Sequence, residues 1–124
     1  MPTTRDPNER LPLTTPVFHI LLALADQERH GYGILLDVAE RTGGRLRLGT
    51  GTLYTAVKRM LEDGLIEESD ERPAPDLDDQ RRRYYRLTRF GRDVLAAEAR
   101  RLESLVGMAR ERRVLAPAGG RRER

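Results

Sequence analysis

Leu46 to Ile66 reads LRLGTGTLYTAVKRMLEDGLI, and this stretch decides the fold. Leu53, Ala56, Val57, Met60 and Leu61 recur at i, i+3, i+4, i+7 and i+8, which is one stripe of an α-helix. Thr55, Lys58, Arg59 and Glu62 repeat the spacing on the opposite side, with Thr52 one turn before Thr55 and Tyr54 one turn before Lys58. The helix therefore has an apolar back and a front of hydroxyls, a phenol and two cations. Thr50 is the expected N-cap, since its hydroxyl can accept from an orphan amide of the first turn. Gly64 is the expected stop, since glycine enters the left-handed conformation after a helix without steric cost. Such a front suits the major groove of DNA. It also describes an ordinary solvated surface helix, and this stretch alone does not separate the two.

Upstream, two more helices are expected. Thr15 and Pro16 open the first, with Thr15 as cap and the proline in the first turn, where its missing N–H is harmless. Val17, Ile20, Leu21 and Leu24 form one apolar row, and Phe18, Leu22 and Ala25 form another beside it, so this helix should be covered from two sides. Asp26 to His30 reads as a polar turn and Gly31 to Thr42 as the second helix. In that helix Tyr32, Leu35 and Ala39 share a row, with Ile34 and Val38 adjacent, and Gly43-Gly44 breaks it. Arg45 to Gly49 alternates basic and apolar residues and could pair briefly as a strand. Three short helices joined by tight turns, the last with a polar front, follow the helix-turn-helix pattern.

Downstream, Leu65 to Glu68 and Arg82 to Leu87 read as two strands around an acidic, proline-bearing loop, which makes a two-stranded wing. Thr88 should cap a long last helix running to about Arg113. Leu95, Leu102 and Ala109 are spaced by heptads, with Glu98 and Leu105 between them, so the seam is nearly that of a coiled coil with one polar gap. The repeat outruns what a small core can cover, at ~1.5 Å of rise per residue, and a dimer is expected. The fold class is thus mainly α, an α+β winged helix with a helix-turn-helix core and a long C-terminal dimerisation helix. Residues 1–13 are expected to be a disordered tail, 14–88 the winged domain, 89–114 the dimerisation helix and 115–124 a second disordered tail.

A chain of 124 residues bounds one domain with a modest core. Without cysteine there is no disulfide, thiolate metal site or cysteine nucleophile. The two histidines, His19 and His30, do not make a metal site, though His30 could cap or bond locally at its turn. The only serines, Ser69 and Ser104, lie in no nucleophile motif, and Gly49-Thr50-Gly51 is too little for a phosphate loop. No enzyme and no cofactor is expected. No apolar run could span a bilayer and no signal peptide opens the chain, so a soluble cytoplasmic protein without a membrane partner is expected. The net charge is +3 with 35% charged residues, so distribution matters more than the sum. Acids gather from Glu67 to Asp79, and arginines from Arg81 to Arg92 and at the C-terminus.

Three segments in order resemble the PadR family of transcriptional regulators. His30-Gly31-Tyr32-Gly33-Ile34 is similar to its HGY segment. Gly51-Thr52-Leu53-Tyr54 with Met60-Leu61-Glu62-Asp63-Gly64-Leu65-Ile66 is similar to its recognition-helix signature. Arg82-Arg83-Tyr84-Tyr85-Arg86-Leu87-Thr88, then Gly91, is similar to its wing strand and helix cap. The resemblance implies a winged helix, a homodimer built through the first and last helices, repression of a promoter and relief by a small-molecule effector, and the twofold symmetry of such a dimer predicts a pseudopalindromic operator in double-stranded DNA as partner. Thr55 stands where the family often has proline. Some relatives stack planar ligands on an interface tryptophan, and this chain has none, so that mode does not carry over.

The expected DNA contacts are Thr52, Tyr54, Thr55, Lys58 and Arg59 on the helix front and Arg82 and Arg83 on the wing. Near the helix N-terminus the Tyr54 phenol can donate to a phosphate, or it can pack half-buried between helices. Thr52 and Thr55 can reach a phosphate or a thymine methyl, and Lys58 and Arg59 the backbone. The wing arginines can lie along the backbone, or pair with Asp78, Asp79, Glu67 or Glu68. Tyr84 and Tyr85 are read as structural. Expected dimer contacts are Val17, Leu21, Leu95, Leu102, Leu105 and Ala109. The competing function is a winged-helix protein-interaction module that does not bind DNA, which the acidic wing would suit.

Overall fold

Leu53, Val57 and Met60, the back of the quoted helix, are all buried, and the other elements close around them. The computed structural model describes residues 5–69 and 83–118. A short 3-10 helix, Pro7–Arg10, precedes α1 (Thr15–Ala23), β1 (Arg29–His30), α2 (Gly31–Arg41), α3 (Thr50–Glu62), β2 (Ile66–Glu68), β3 (Tyr84–Leu87) and α4 (Arg89–Glu111). The core joins Ile20, Leu21, Ile34, Val38, Leu53, Val57, Met60, Ile66, Tyr85 and Val94. Each large apolar side chain fully buried there contributes ~1.5–3 kcal/mol.

The strands form a three-stranded antiparallel sheet in the order β1-β3-β2. Arg29 pairs with Tyr85 and His30 with Tyr84 on one edge, and Ile66 pairs with Leu87 on the other. The expected two-stranded wing is therefore one strand short. The missing strand comes from Arg29 and His30, inside what reads as a polar turn. Arg29 holds that turn extended. Its Nε donates to the Ala23 carbonyl at the end of α1 at 2.6 Å, and its guanidinium pairs with Asp37 of α2 at 3.4 Å. Arg41 pairs with the same carboxylate at 3.2 Å, and that hydrogen bond raises the Arg41 pKa. Arg45 to Gly49, expected as a brief strand, is a loop, with Leu46 and Leu48 packed on the core and the Leu46 amide held by the Thr42 hydroxyl.

The caps differ from expectation by one residue at two helices. Thr14, not Thr15, caps α1 by accepting from the Val17 amide at 3.3 Å. Gly49, not Thr50, is the N-cap of α3, and no side chain caps it. His30 Nδ1 accepts from the Gly33 amide at 2.9 Å and so caps α2. Gly64, at φ +77°, ends α3 as expected, and Leu65 N donates to the Met60 carbonyl at 2.9 Å.

Thr88 caps α4, accepting from the Gly91 amide at 2.9 Å while its hydroxyl donates to the Gly64 carbonyl at 2.6 Å. A Cβ on Gly91 would lie 1.9 Å from the Leu65 carbonyl oxygen. In α2, Ile34 and Val38 are buried, but Tyr32 is 59% exposed and leaves the row assigned to it.

Residues 5–13 are not a loose tail. Asp6 accepts from the Asn8 amide at 2.9 Å, Leu11 and Leu13 pack against the core, and Leu13 N donates to Glu98 at 3.1 Å. The polar gap at Glu98 is thus a buried carboxylate, 2% exposed. Arg101 pairs with it at 2.6 Å. That hydrogen bond holds the carboxyl below the usual range, helped by the Leu13 amide and opposed by burial. Arg82, the loop acids Asp70, Glu71, Asp76, Asp78 and Asp79, and the outer parts of both expected tails lie outside the described residues.

Gly91→Ala is expected to cost about 1–3 kcal/mol in thermal unfolding, since backbone must move to admit the methyl group. Gly51→Ala, where a Cβ meets nothing within 4 Å, is expected to gain up to ~1 kcal/mol. Glu98 has a depressed folded-state pKa, so its stabilisation is present above the unfolded value of ~4.3 and is lost as pH falls through the folded value. The melting-temperature gap between the unmodified chain and Glu98→Gln is therefore expected to be widest above about pH 5 and to narrow in acid.

Candidate nucleic-acid interface

Because α3 buries Leu53, Val57 and Met60, its opposite face must point outward, and Thr52, Thr55, Lys58 and Arg59 are all exposed, with Gly51 and Glu62 among them. These four expected site residues share the outward side of α3. Arg59 and Thr52 lie toward α1, where with Thr14, Val17 and Ala56 they line a shallow groove.

Tyr54 stands apart from that face. It is half-buried on the α2 flank, and its hydroxyl oxygen would be only 2.2 Å from a Cβ built on Gly31. Gly31 begins α2, so the phenol sits over the α2 N-terminus in a space that only glycine leaves open. The packed alternative weighed for this residue describes its position.

The segment leading into α3 carries cations that sequence reasoning left aside. Gly43 and Gly44, at φ +62° and +83°, turn the chain out of α2. The Thr42 hydroxyl donates to the Val38 carbonyl at 2.8 Å and accepts from the Leu46 amide at 3.1 Å, fixing the loop from inside. Leu46 and Leu48 pack against the core, whereas Arg45 and Arg47 are exposed. The basic-apolar alternation is therefore real, but it belongs to a loop with one face on the core. That same alternation was the signal that could have found the two arginines.

On the wing, Arg83 pairs with Glu68 at 3.3 Å, and Arg86 pairs with Glu67 at 2.8 Å and Glu28 at 3.5 Å. Both described wing arginines thus face strand or turn acids. Tyr85 is buried in the core, and burial, with Glu68 second, pushes its phenol up. Tyr84 packs its ring edge-on to His30, with centroids 5.3 Å apart. Both tyrosines are structural, as expected.

The dimer residues divide. Leu21 is fully buried and Leu95 is 7% exposed, so both belong to the core of a single chain and present no face to a second. In one chain both of these expected dimer residues are spent on its own core. Val17, Leu102 and Ala109 are half-buried. Leu105 and Met108, beyond the part of α4 that the domain covers, are 45% and 54% exposed. Among the described residues, no cluster of His, Cys, Asp or Glu could hold a metal ion, and no helix is long and apolar enough to cross a membrane.

A three-helix core, a small sheet and an outward third helix define a winged helix-turn-helix protein. The model of the PadR-like family of transcriptional regulators matches residues 20–97. The chain belongs to that family of regulators, which are not enzymes. It is 39% identical over 87 residues to the transcriptional regulator Rv3488 of Mycobacterium tuberculosis, covering 70% of this chain and 75% of that protein. Its structure is similar to a PadR family transcription regulator from Clostridium difficile, with TM-score 0.66, 28% identity, and 79% of this chain and 97% of that one covered. The fold is also that of Bacillus subtilis PadR in complex with operator DNA, with TM-score 0.58, 22% identity, and 69% and 47% covered.

Gly31→Ala is expected to destabilise the fold by about 1–3 kcal/mol, because the Tyr54 ring must give way. Since the hydroxyl is the nearest atom, Tyr54→Phe should relieve part of that cost, and a double-mutant cycle by denaturant unfolding should return a coupling of ~0.5 kcal/mol or more. Additive effects would show that the two residues do not touch.

Proposed function

We propose that this chain is a cytoplasmic, homodimeric repressor that binds a pseudopalindromic operator in double-stranded DNA and is relieved by a small-molecule effector. One observation carries the reading: α3 spends its whole apolar stripe on the core and leaves Thr52, Thr55, Lys58 and Arg59 in solvent. Inserted in a major groove, the hydroxyls meet base edges or thymine methyls and the cations meet phosphates. Arg45 and Arg47 flank the entrance of the same helix and add backbone contacts. Tyr54, over the start of α2, offers its phenol to a phosphate where two helices meet. Arg83 sits in a partly exposed ion pair, a kind worth ~0–1 kcal/mol, so a phosphate can take the place of Glu68. Arg82 is proposed as its neighbour on the backbone.

A second copy would cover Leu105 and Met108 together with the half-buried Val17, Leu102 and Ala109. Twofold symmetry would place the two α3 helices in successive major grooves, ~34–36 Å apart, and exclude polymerase from the promoter. An effector that changed the angle between the two heads would break that match. Bacillus subtilis PadR, which shares this fold, is seen in complex with operator DNA, and that supports the same use of the scaffold.

Anisotropy titrations with promoter DNA test this. If the dimer neutralises ~6–8 phosphates, log K is expected to fall against log salt with a slope of about −5 to −7. Lys58→Ala and Arg59→Ala should each make the slope shallower by ~1–2 per dimer. Leu105→Glu should give a monomer in sedimentation and weaken operator binding. An absent shift, or a slope shared by any polyanion, would support the protein-interaction module instead.

A further inference from the structure

The exit of the recognition helix is held from two sides. On one, Thr88 meets Gly64 and Leu65. On the other lies the N-terminal arm, residues 5–13. The Arg5 guanidinium donates to the Asp63 carbonyl, and it stacks 3.9 Å from the centroid of the Phe90 ring. Arg10 pairs with the Asp63 carboxylate at 3.4 Å. Leu13 N then donates to the buried Glu98 at 3.1 Å.

Asp63 is the C-cap of α3, so its carbonyl is one of those a helix leaves without an internal partner, at the negative end of the helix dipole. Both cations of the arm are directed there. Phe90 and Glu98 belong to α4. The arm thus bridges the end of α3 to the first turns of α4, spanning ~12 Å along that helix.

We propose that residues 5–13 are a positioning strap that sets the tilt of α3 relative to α4, with Arg5 and Arg10 as its working side chains. The core seats the back of α3, and the Thr88 junction holds one side of its exit. The arm holds the other side, so that the outward face of α3 is presented at one angle to α4. The functional half of this inference rests on the DNA-binding reading above. The mechanical half does not.

Two full-length variants test it: Arg5→Ala combined with Arg10→Ala, and Asp63→Asn alone. Hydrogen exchange needs no DNA. In the double variant, amides of Asp63, Gly64 and Leu65 are expected to exchange roughly tenfold faster, with α2 unchanged. In anisotropy titrations on a duplex from the promoter of its own gene, affinity should fall roughly three- to tenfold with an unchanged salt slope, because no phosphate contact is removed. Asp63→Asn separates the strap from direct contact. A strap predicts weaker DNA binding, whereas arginines that touch phosphate predict tighter binding once the competing carboxylate is neutral. Unchanged exchange, a shallower slope or tighter binding by Asp63→Asn would each overturn the proposal. If the unmodified chain leaves the duplex unbound, the DNA-binding reading fails. Exchange at the α3 exit then still decides whether the strap exists.

Discussion

One hydroxyl holds the architecture together. Thr88 Oγ1 accepts from the Gly91 amide, which starts α4, and donates to the Gly64 carbonyl, just past the end of α3. The Thr88 amide donates in turn to the Leu65 carbonyl at 3.1 Å, where the chain turns into β2. A single residue thus caps α4 and ties its start to the turn that follows α3. The close approach works only because Gly64 accepts a left-handed φ and Gly91 has no Cβ to strike Leu65. Alanine at Thr88 would lose the cap, worth ~1 kcal/mol, and with it the tie between the outward helix and the long one.

Elsewhere, paired charge organises the contacts that apolar packing leaves unspecified. Asp37, 14% exposed at its side chain, gathers Arg29 and Arg41, and through Arg29 it anchors the end of α1 and the edge strand β1. Glu98 does the same for the arm and α4 through Leu13 and Arg101. Both carboxylates have their charge paired and further oxygen contacts made, which is the condition under which a buried ion is tolerated. Apolar side chains could fill either site, but they would not select one neighbour over another.

The helices were legible because each writes its period into the sequence. Leu53, Val57 and Met60, or Ile34 and Val38, recur at helical spacing whatever surrounds them. The outward face of α3 was legible for the same reason, since it is what the stripe leaves over. β1 was not, because Arg29 and His30 show no alternation, and their extended form comes from Tyr84 and Tyr85 more than fifty residues away. The arm was hidden likewise: nothing local in its sequence orders it, and its partners are Asp63, Phe90 and Glu98. Tyr54 was placed on the front by counting turns, but Gly31 offers a recess on the flank that no periodicity reveals. Leu21 and Leu95 fit a dimer seam on paper because core and interface residues share one composition. The family resemblance supplied the class of protein, and the core packing supplied the address of each side chain.

The sheet order carries one more consequence. β3 is the middle strand, bonded to β1 on one edge and β2 on the other, with Tyr85 driven into the core. Its register is thus written twice, once by the hairpin it shares with β2 and once by β1, which precedes α2 in the chain. A polypeptide cut or lengthened between residues 69 and 83 would still find its place against Arg29 and His30. The length and charge of the segment joining β2 to β3 can therefore change without altering which strands pair.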